Sequence, residues 1–290
     1  MNFSYWEYKE WFTNNDFVVV GSGIVGLNCA IHLKERFPKS KVIVLEKGLL
    51  PQGASTKNAG FACFGSTSEL LSDLKNHSKE EVFQLVKKRW DGLQLLRNLL
   101  GDKNIDYQHN YGYELFSDEV FFEKCKNKTE ELNKLLFPLF KESVFSIVNN
   151  KFNFENIVPT YLVNKFEAQI DTGKMVSQLL KKAQEKGVKV LNNISVLGFS
   201  EGTNQVKINT SQGEISASKV FFATNGFSRE LLKESISPAR AQVLITSQIK
   251  NLHIKGTFHL EEGYYYFRNI NNRILLGGGR NLDFETEETT

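Results

Sequence analysis

Cysteine, proline and methionine are scarce, at three, five and two of 290 residues. Cys29, Cys63 and Cys125 are odd in number and show no CxxC spacing, so neither a closed disulfide set nor a zinc knuckle is expected. Free thiols suit a reducing compartment, and a cytoplasmic location is the expectation. One-sided charge is also missing. Lys and Arg number 36 against 33 Asp and Glu, a formal net charge of +3 with no basic stripe, which gives no case for a nucleic-acid partner. No run of ~18 apolar residues exists, so no membrane span is expected. Glu7, Lys9, Glu10 and Asp16 break up the aromatic N-terminal stretch, which therefore lacks the apolar core of a signal peptide. The histidines at 32, 77, 109, 253 and 259 are dispersed and form no H-E-x-x-H, so no metal site is expected. Phenylalanine, in contrast, is plentiful: 23 rings can fill a core that at this length buries ~75% of the unfolded surface in one or two domains.

Phe17-Val18-Val19-Val20 reads as a buried strand of a parallel sheet. Gly21-Ser22-Gly23 ends it, and Ile24, Leu27 and Ile31 then follow helical spacing up to Phe37-Pro38. The run Lys41 to Glu46 is a second strand, which completes a βαβ unit of right-handed crossover. The stretch 68–101 has helical period, 111–116 reads as a strand, and 118–137 as another helix. Residues 138–164 have no clear period. A second αβ passage opens at Asp171-Thr172-Gly173, runs helically to Gly187, and continues as strands at 188–191, 195–199, 206–210 and 219–223. Strands are expected again at 242–249, 264–267 and 274–276. The alternation predicts an α/β protein of two discontinuous domains: a Rossmann-like one from 1–76 and 163–232, and a mixed-sheet one from 77–162 and 233–290.

Gly21, Gly23 and Gly26 satisfy G-x-G-x-x-G at a strand-to-helix junction, the one context in which that motif carries weight. Gly21 allows the tight turn, Gly23 lets backbone approach a diphosphate, and Gly26 lets helix and strand pack closely. The N–H groups of the first helical turn, at Ile24, Val25 and Gly26, together with the positive helix end, suit an anion. Glu46, twenty residues past Gly26, ends the second strand where a carboxylate can accept ribose hydroxyls, with Lys47 beside it. The pattern predicts an adenine dinucleotide site.

FAD and NAD share that fingerprint, and the next segment bears on the choice. Pro51 to Phe61 is rich in small and hydroxyl residues, including Ser55, Thr56, Lys57, Asn58, Ala59 and Gly60. It resembles the second FAD-contact segment, G-A-S-x-x-N-A-G, of the D-amino acid oxidase-like flavoenzymes, among them glycine oxidase, sarcosine oxidase and D-amino acid dehydrogenases. The likeness continues through Gln169-Ile170-Asp171-Thr172-Gly173, then Val190, whose backbone would meet adenine. It extends to Ala223-Thr224-Asn225-Gly226, a turn that would close near the diphosphate. Pro238-Ala239-Arg240-Ala241-Gln242 resembles the family's P-x-R-G-Q strand, with Ala241 where glycine is usual. The resemblance implies an FAD-dependent oxidoreductase. Hydride would leave the carbon next to nitrogen of an amine or amino acid for flavin N5, and the imine would then hydrolyse. Relatives run on for ~80 residues more, so a chain incomplete at its C-terminus is expected, with a part of the substrate domain lacking.

For the small-molecule substrate, Tyr264, Tyr266 and Arg268 are the candidate catalytic residues. Strand alternation puts them on one face, where rings and a bidentate guanidinium suit an amino acid. An edge strand of packed tyrosines with a surface Arg is the plainer alternative. At the level of function, two other readings stand beside the oxidase: an NAD-dependent dehydrogenase on the same turn, and a truncated, non-catalytic flavin-fold module that binds a protein.

Overall fold

A computed structural model describes residues 3–285 of the chain. Residues 1–2 and 286–290, the outer ends of the two expected domains, lie outside the described residues. The described chain divides into two compact units, one of 3–58 and 172–240, the other of 59–171 and 241–285. The crossings thus fall at 58/59, 171/172 and 240/241, not at 76/77, 162/163 and 232/233. Two contacts explain the shift. Phe61–Ala62 pairs antiparallel with Ala168–Gln169, and Leu70 packs into a cluster with Val82, Val86, Leu132 and Leu136.

The first unit is built on a six-stranded sheet in the order Lys189–Leu191, Val42–Leu45, Asn15–Val20, Gly213–Phe222, Val206–Thr210, Val196–Glu201. The first four strands are parallel and the last two join antiparallel. Val18, Val19, Ile43 and Val44 are fully buried, as unbroken apolar strands of a covered parallel sheet must be. The helices Ile24–Arg36 and Thr172–Glu185 pack on each other and bury Leu27, Ala30, Ile31, Met175 and Leu179. Phe12 joins Val18, Val20, Ile43, Leu45 and Ile208 in one core cluster. It comes from two short N-terminal turns, Tyr5–Glu7 and Tyr8–Phe12, opened by a Ser4–Glu7 capping box.

The second unit holds a seven-stranded mixed sheet in the order Gln242–Ile245, Arg273–Gly278, Tyr265–Ile270, Thr257–Leu260, Gly112–Glu114, Thr160–Asn164, Phe145–Asn149. Three of these strands, 145–149, 160–164 and 257–260, have no sequence counterpart above. Four of the five residues in Thr160–Asn164 are buried, so the strand shows no alternation. The expected helix over 68–101 is two helices, Thr67–Asn76 and Lys79–Leu100, because Ser66 and Ser78 each start one with a capping box to Glu69 and Glu81. The third helix, Glu119–Phe140, runs three residues past the expected stop. Pro138 costs it one hydrogen bond in the last turn, and the buried Phe140 beyond it holds that turn in the core.

Glu114 ties sheet to helix. It is 4% exposed and accepts hydrogen bonds from Ser66 Oγ at 3.1 Å, from Ser68 N at 3.2 Å and from Ser68 Oγ, at the N-terminus of Thr67–Asn76. Burial raises its pKa and the serine donors oppose that rise. Glu114→Gln, which keeps the shape and removes the charge that faces the helix end, is expected to cost about 1–2 kcal/mol in a urea unfolding curve. An unmoved midpoint would show that the charge contributes nothing.

Candidate functional site

Within the first unit two of the three glycines, Gly21 and Gly26, are required by the backbone around them. Gly21 has φ +102°, and a Cβ there would lie 2.6 Å from Ala223 O. At Gly26 a Cβ would stand 1.9 Å from Gly21 O and 3.3 Å from Ala223 Cβ, so the helix crosses the turn at bare-backbone distance. Gly21 N donates to Leu45 O and Ala223 N to Val20 O, both at 2.8 Å, and these bonds hold the turn between its flanking strands. Gly23 caps the Ile24–Arg36 helix with no side-chain cap of its own. Ser55 Oγ accepts from Ile24 N at 2.9 Å, which brings the Gly53 to Asn58 loop to the same helix end. The donors of a first helical turn have no partners inside the helix, and here bare glycine backbone surrounds them. The cradle fits a diphosphate.

Glu46 is 9% exposed and does more than the sequence suggests. Its Oε2 accepts from Ser22 N at 3.0 Å and Ser22 Oγ at 2.6 Å, and its Oε1 accepts from Gly48 N at 2.9 Å. The carboxylate therefore braces the glycine turn from behind and keeps lone pairs for a further donor. Ser22, fully buried, was not singled out from the sequence, since its type says nothing until Glu46 is placed.

The remaining candidates divide. Ala223 and Thr224 lie against the glycine turn, and Thr224 Oγ1 is 2.9 Å from Ser228 Oγ. Asn225 has φ +50°, and Gly226 packs on Pro238, where a Cβ would fall 2.6 Å away. Lys47 Nζ sits 3.5 Å from the centroid of the Phe227 ring. Val190 pairs with Val44 on the outermost strand of the sheet. Thr56 Oγ1 donates to Pro51 O at 2.9 Å, and Asn58 Nδ2 to Ala54 O and Ser55 O at 3.0 Å. Those side chains brace their own loop, while Lys57 and Val25 are exposed. Ala59 and Gly60 are buried and belong to the second unit.

In the second unit Tyr264, Tyr266 and Arg268 do not form one face. Tyr264 precedes the strand, which starts at Tyr265, and lines a cavity of about 400 Å³ with Phe116, Phe121 and Glu262. Arg268 is only 4% exposed, and its Nη2 donates to Ile170 O at 3.0 Å. Burial lowers its pKa against the pull of Asp171 and Asp106. The guanidinium expected to meet a substrate carboxylate is thus enclosed, with one of its donors on the Ile170 carbonyl. Tyr266 is half-buried, and its ring lies over Gly277, where a Cβ would come within 2.4 Å. The registers Glu114↔His259, His259↔Tyr266 and Tyr266↔Gly277 make one row across the sheet. His259 is 5% exposed, with its Nε2 2.6 Å from Glu167 Oε1. Burial alone would lower its pKa, but the charge and hydrogen bond of Glu167, with Glu69 and Glu114, outweigh burial and raise it to about 9. No motif signals this row, because its members come from separate segments.

Among the described residues no three His, Cys, Asp or Glu side chains converge as a metal site, and no helix is long and apolar enough to cross a membrane. The profile of one family, described as FAD dependent oxidoreductase (DAO), matches residues 16–290, from the first strand onward. The chain belongs to this DAO family. It is 22% identical over 285 residues to gamma-glutamylputrescine oxidoreductase of Escherichia coli, covering 91% of this chain and 64% of that protein. It is 23% identical to human mitochondrial dimethylglycine dehydrogenase, covering 92% of this chain and 31% of that one. Less than two thirds of either relative is thus spanned. Among solved structures, L-amino acid deaminase from Proteus vulgaris superposes with TM-score 0.69 at 20% identity, covering 92% of this chain and 61% of that one. Glycine oxidase from Geobacillus kaustophilus superposes with TM-score 0.66 at 17% identity, covering 91% and 72%. The DAO members share this fold, a Rossmann-like unit with a mixed-sheet companion.

Proposed function

We propose that the first unit binds FAD and that the chain oxidises an amine or amino acid. The bare-backbone cradle of Gly21, Gly23 and Gly26, braced by Glu46, carries the reading. Membership of a family of FAD-dependent oxidoreductases supports it. The similarity to a glycine oxidase, an L-amino acid deaminase and gamma-glutamylputrescine oxidoreductase supports the substrate class. Bound FAD would supply the hydride acceptor for the carbon next to the substrate nitrogen.

The chain's own residues would do the rest. Helix-end donors at Val25 and Gly26 would hold the diphosphate, and Ser55 would hold the loop against it. The free lone pairs of Glu46 would take ribose hydroxyls. The second unit would supply the substrate side, with the half-buried Tyr266 as its aromatic wall and Gly277 as the space into which that ring settles.

Added FAD should turn the purified protein yellow and be retained on desalting, and candidate D-, L- and N-methyl amino acids or diamines should bleach it without oxygen. Protein that stays colourless with excess FAD defeats the reading. Glu46→Ala is expected to weaken FAD by ~1–3 kcal/mol, through the ribose contact and the loosened Ser22. An unchanged titration would remove Glu46 from the site.

A further inference from the structure

We propose that the buried Glu167–His259 pair is a positioning device: it holds the Phe61 ring, and through it Tyr266, in the aromatic face of the second unit. Glu167 is wholly buried just before Ala168–Gln169, the strand that pairs with Phe61–Ala62. Its Oε1 accepts from Thr257 Oγ1 at 2.7 Å and lies 2.6 Å from His259 Nε2, so one oxygen joins two positions of the Thr257–Leu260 strand. Glu167 Oε2 has no hydrogen-bond partner among the described residues and is pressed on Gly112, where a Cβ would lie 2.3 Å away. The enclosed carboxylate thus spends Oε1 on the Thr257 hydroxyl and the imidazole.

The imidazole in turn shapes the aromatic face. Phe61 meets His259 edge-on at 5.2 Å and 87°, and meets Tyr266 at 5.6 Å and 74°. His259 and Tyr266 are directly paired across their strands, so Phe61 rests on two adjacent positions of one face. Removing the pair frees the His259 ring, and Phe61 loses one of its two supports. Three carboxylates bear on His259, Glu167 ahead of the Phe61-paired strand, Glu114 on the neighbouring strand and Glu69 on the Thr67–Asn76 helix, and on its other side stands the Tyr266 phenol, whose pKa burial raises. The half-buried Cys63 sits among the same charges with Arg89, and desolvation with Glu167 and Glu69 raises its pKa. Its own strand adds no other titratable group. A protonated imidazole is the charge that this arrangement requires, and its loss at high pH should release the ring.

The test is an NMR titration of the intact protein labelled in histidine and tyrosine, from pH 7 to 10.5. Tyr266 ring signals are expected to move with those of His259, with a midpoint near 9. Phe61→Leu should leave the His259 midpoint in place and uncouple Tyr266. The kinetic arm rests on the substrate-side reading of Tyr266. There KM should rise about fivefold through the same midpoint while kcat changes less than about twofold, and His259→Gln should raise KM at every pH and abolish the step. Tyr266 signals that ignore the His259 titration, or coupling that survives Phe61→Leu, overturn the proposal. If His259→Gln does not fold, Phe61→Leu, which keeps the pair, decides alone. The NMR arm needs neither flavin nor turnover, so a failed FAD reading and a failed positioning role give different results.

Discussion

Gly26→Ala is expected to abolish FAD binding at micromolar cofactor. The added methyl would stand 1.9 Å from Gly21 O and 3.0 Å from Gly21 C, and both are backbone atoms that no rotamer change can move. Alanine in a helix gains about 1 kcal/mol of propensity over glycine, a gain far smaller than the clash. Either the helix lifts from the turn by an ångström or more, or the Val20-to-Ile24 connection unwinds. In both cases the diphosphate cradle is lost. Overpacking of this kind costs about 3 kcal/mol or more, which is at least a hundredfold in affinity if it falls on the bound state. Gly198→Ala is the control, since a Cβ there meets nothing within 4 Å. Fluorescence titration of FAD with the three proteins decides the matter, and wild-type affinity in Gly26→Ala would end the cradle argument.

The second unit should lose stability in alkali through His259. The folded pKa of about 9 lies above the ordinary 6.5, so the folded state binds the proton more tightly. The stabilisation is then complete below pH 6.5 and is lost as pH rises through about 9. A shift of that size corresponds to about 3 kcal/mol. Urea unfolding at pH 6.5, 8 and 10, compared between wild type and His259→Gln, isolates this histidine from the lysines and tyrosines that titrate in the same range. Wild type should fall by about 3 kcal/mol relative to the variant. Parallel curves would show that the charged pair contributes nothing net, as buried ion pairs sometimes do.

The first unit was legible wherever structure is local. Strand, glycine turn, helix, strand and acid follow one another within about thirty residues, and each step has a residue type that permits little else. The second unit was legible only in part. Its strands 160–164 and 257–260 are buried on both faces and have lost the alternation by which strands are read. The Tyr264–Tyr266–Arg268 reading assumed a strand that begins at Tyr264, one residue before the real one, and a guanidinium turned toward a ligand. Burial is a tertiary property, and Arg268 is enclosed because Ile170 arrives from a distant segment.

The amino-acid sequence by itself determined the glycine turn, the acid at the end of the second strand and the discontinuous two-part plan, because backbone conformation and short-range hydrogen bonding decide those. Only the tertiary structure decided which unit residues 59–76 join, that Glu46 braces Ser22, and that His259 meets Glu167. Those pairings depend on sequence separations of 24 and 92 residues, across which no local preference acts.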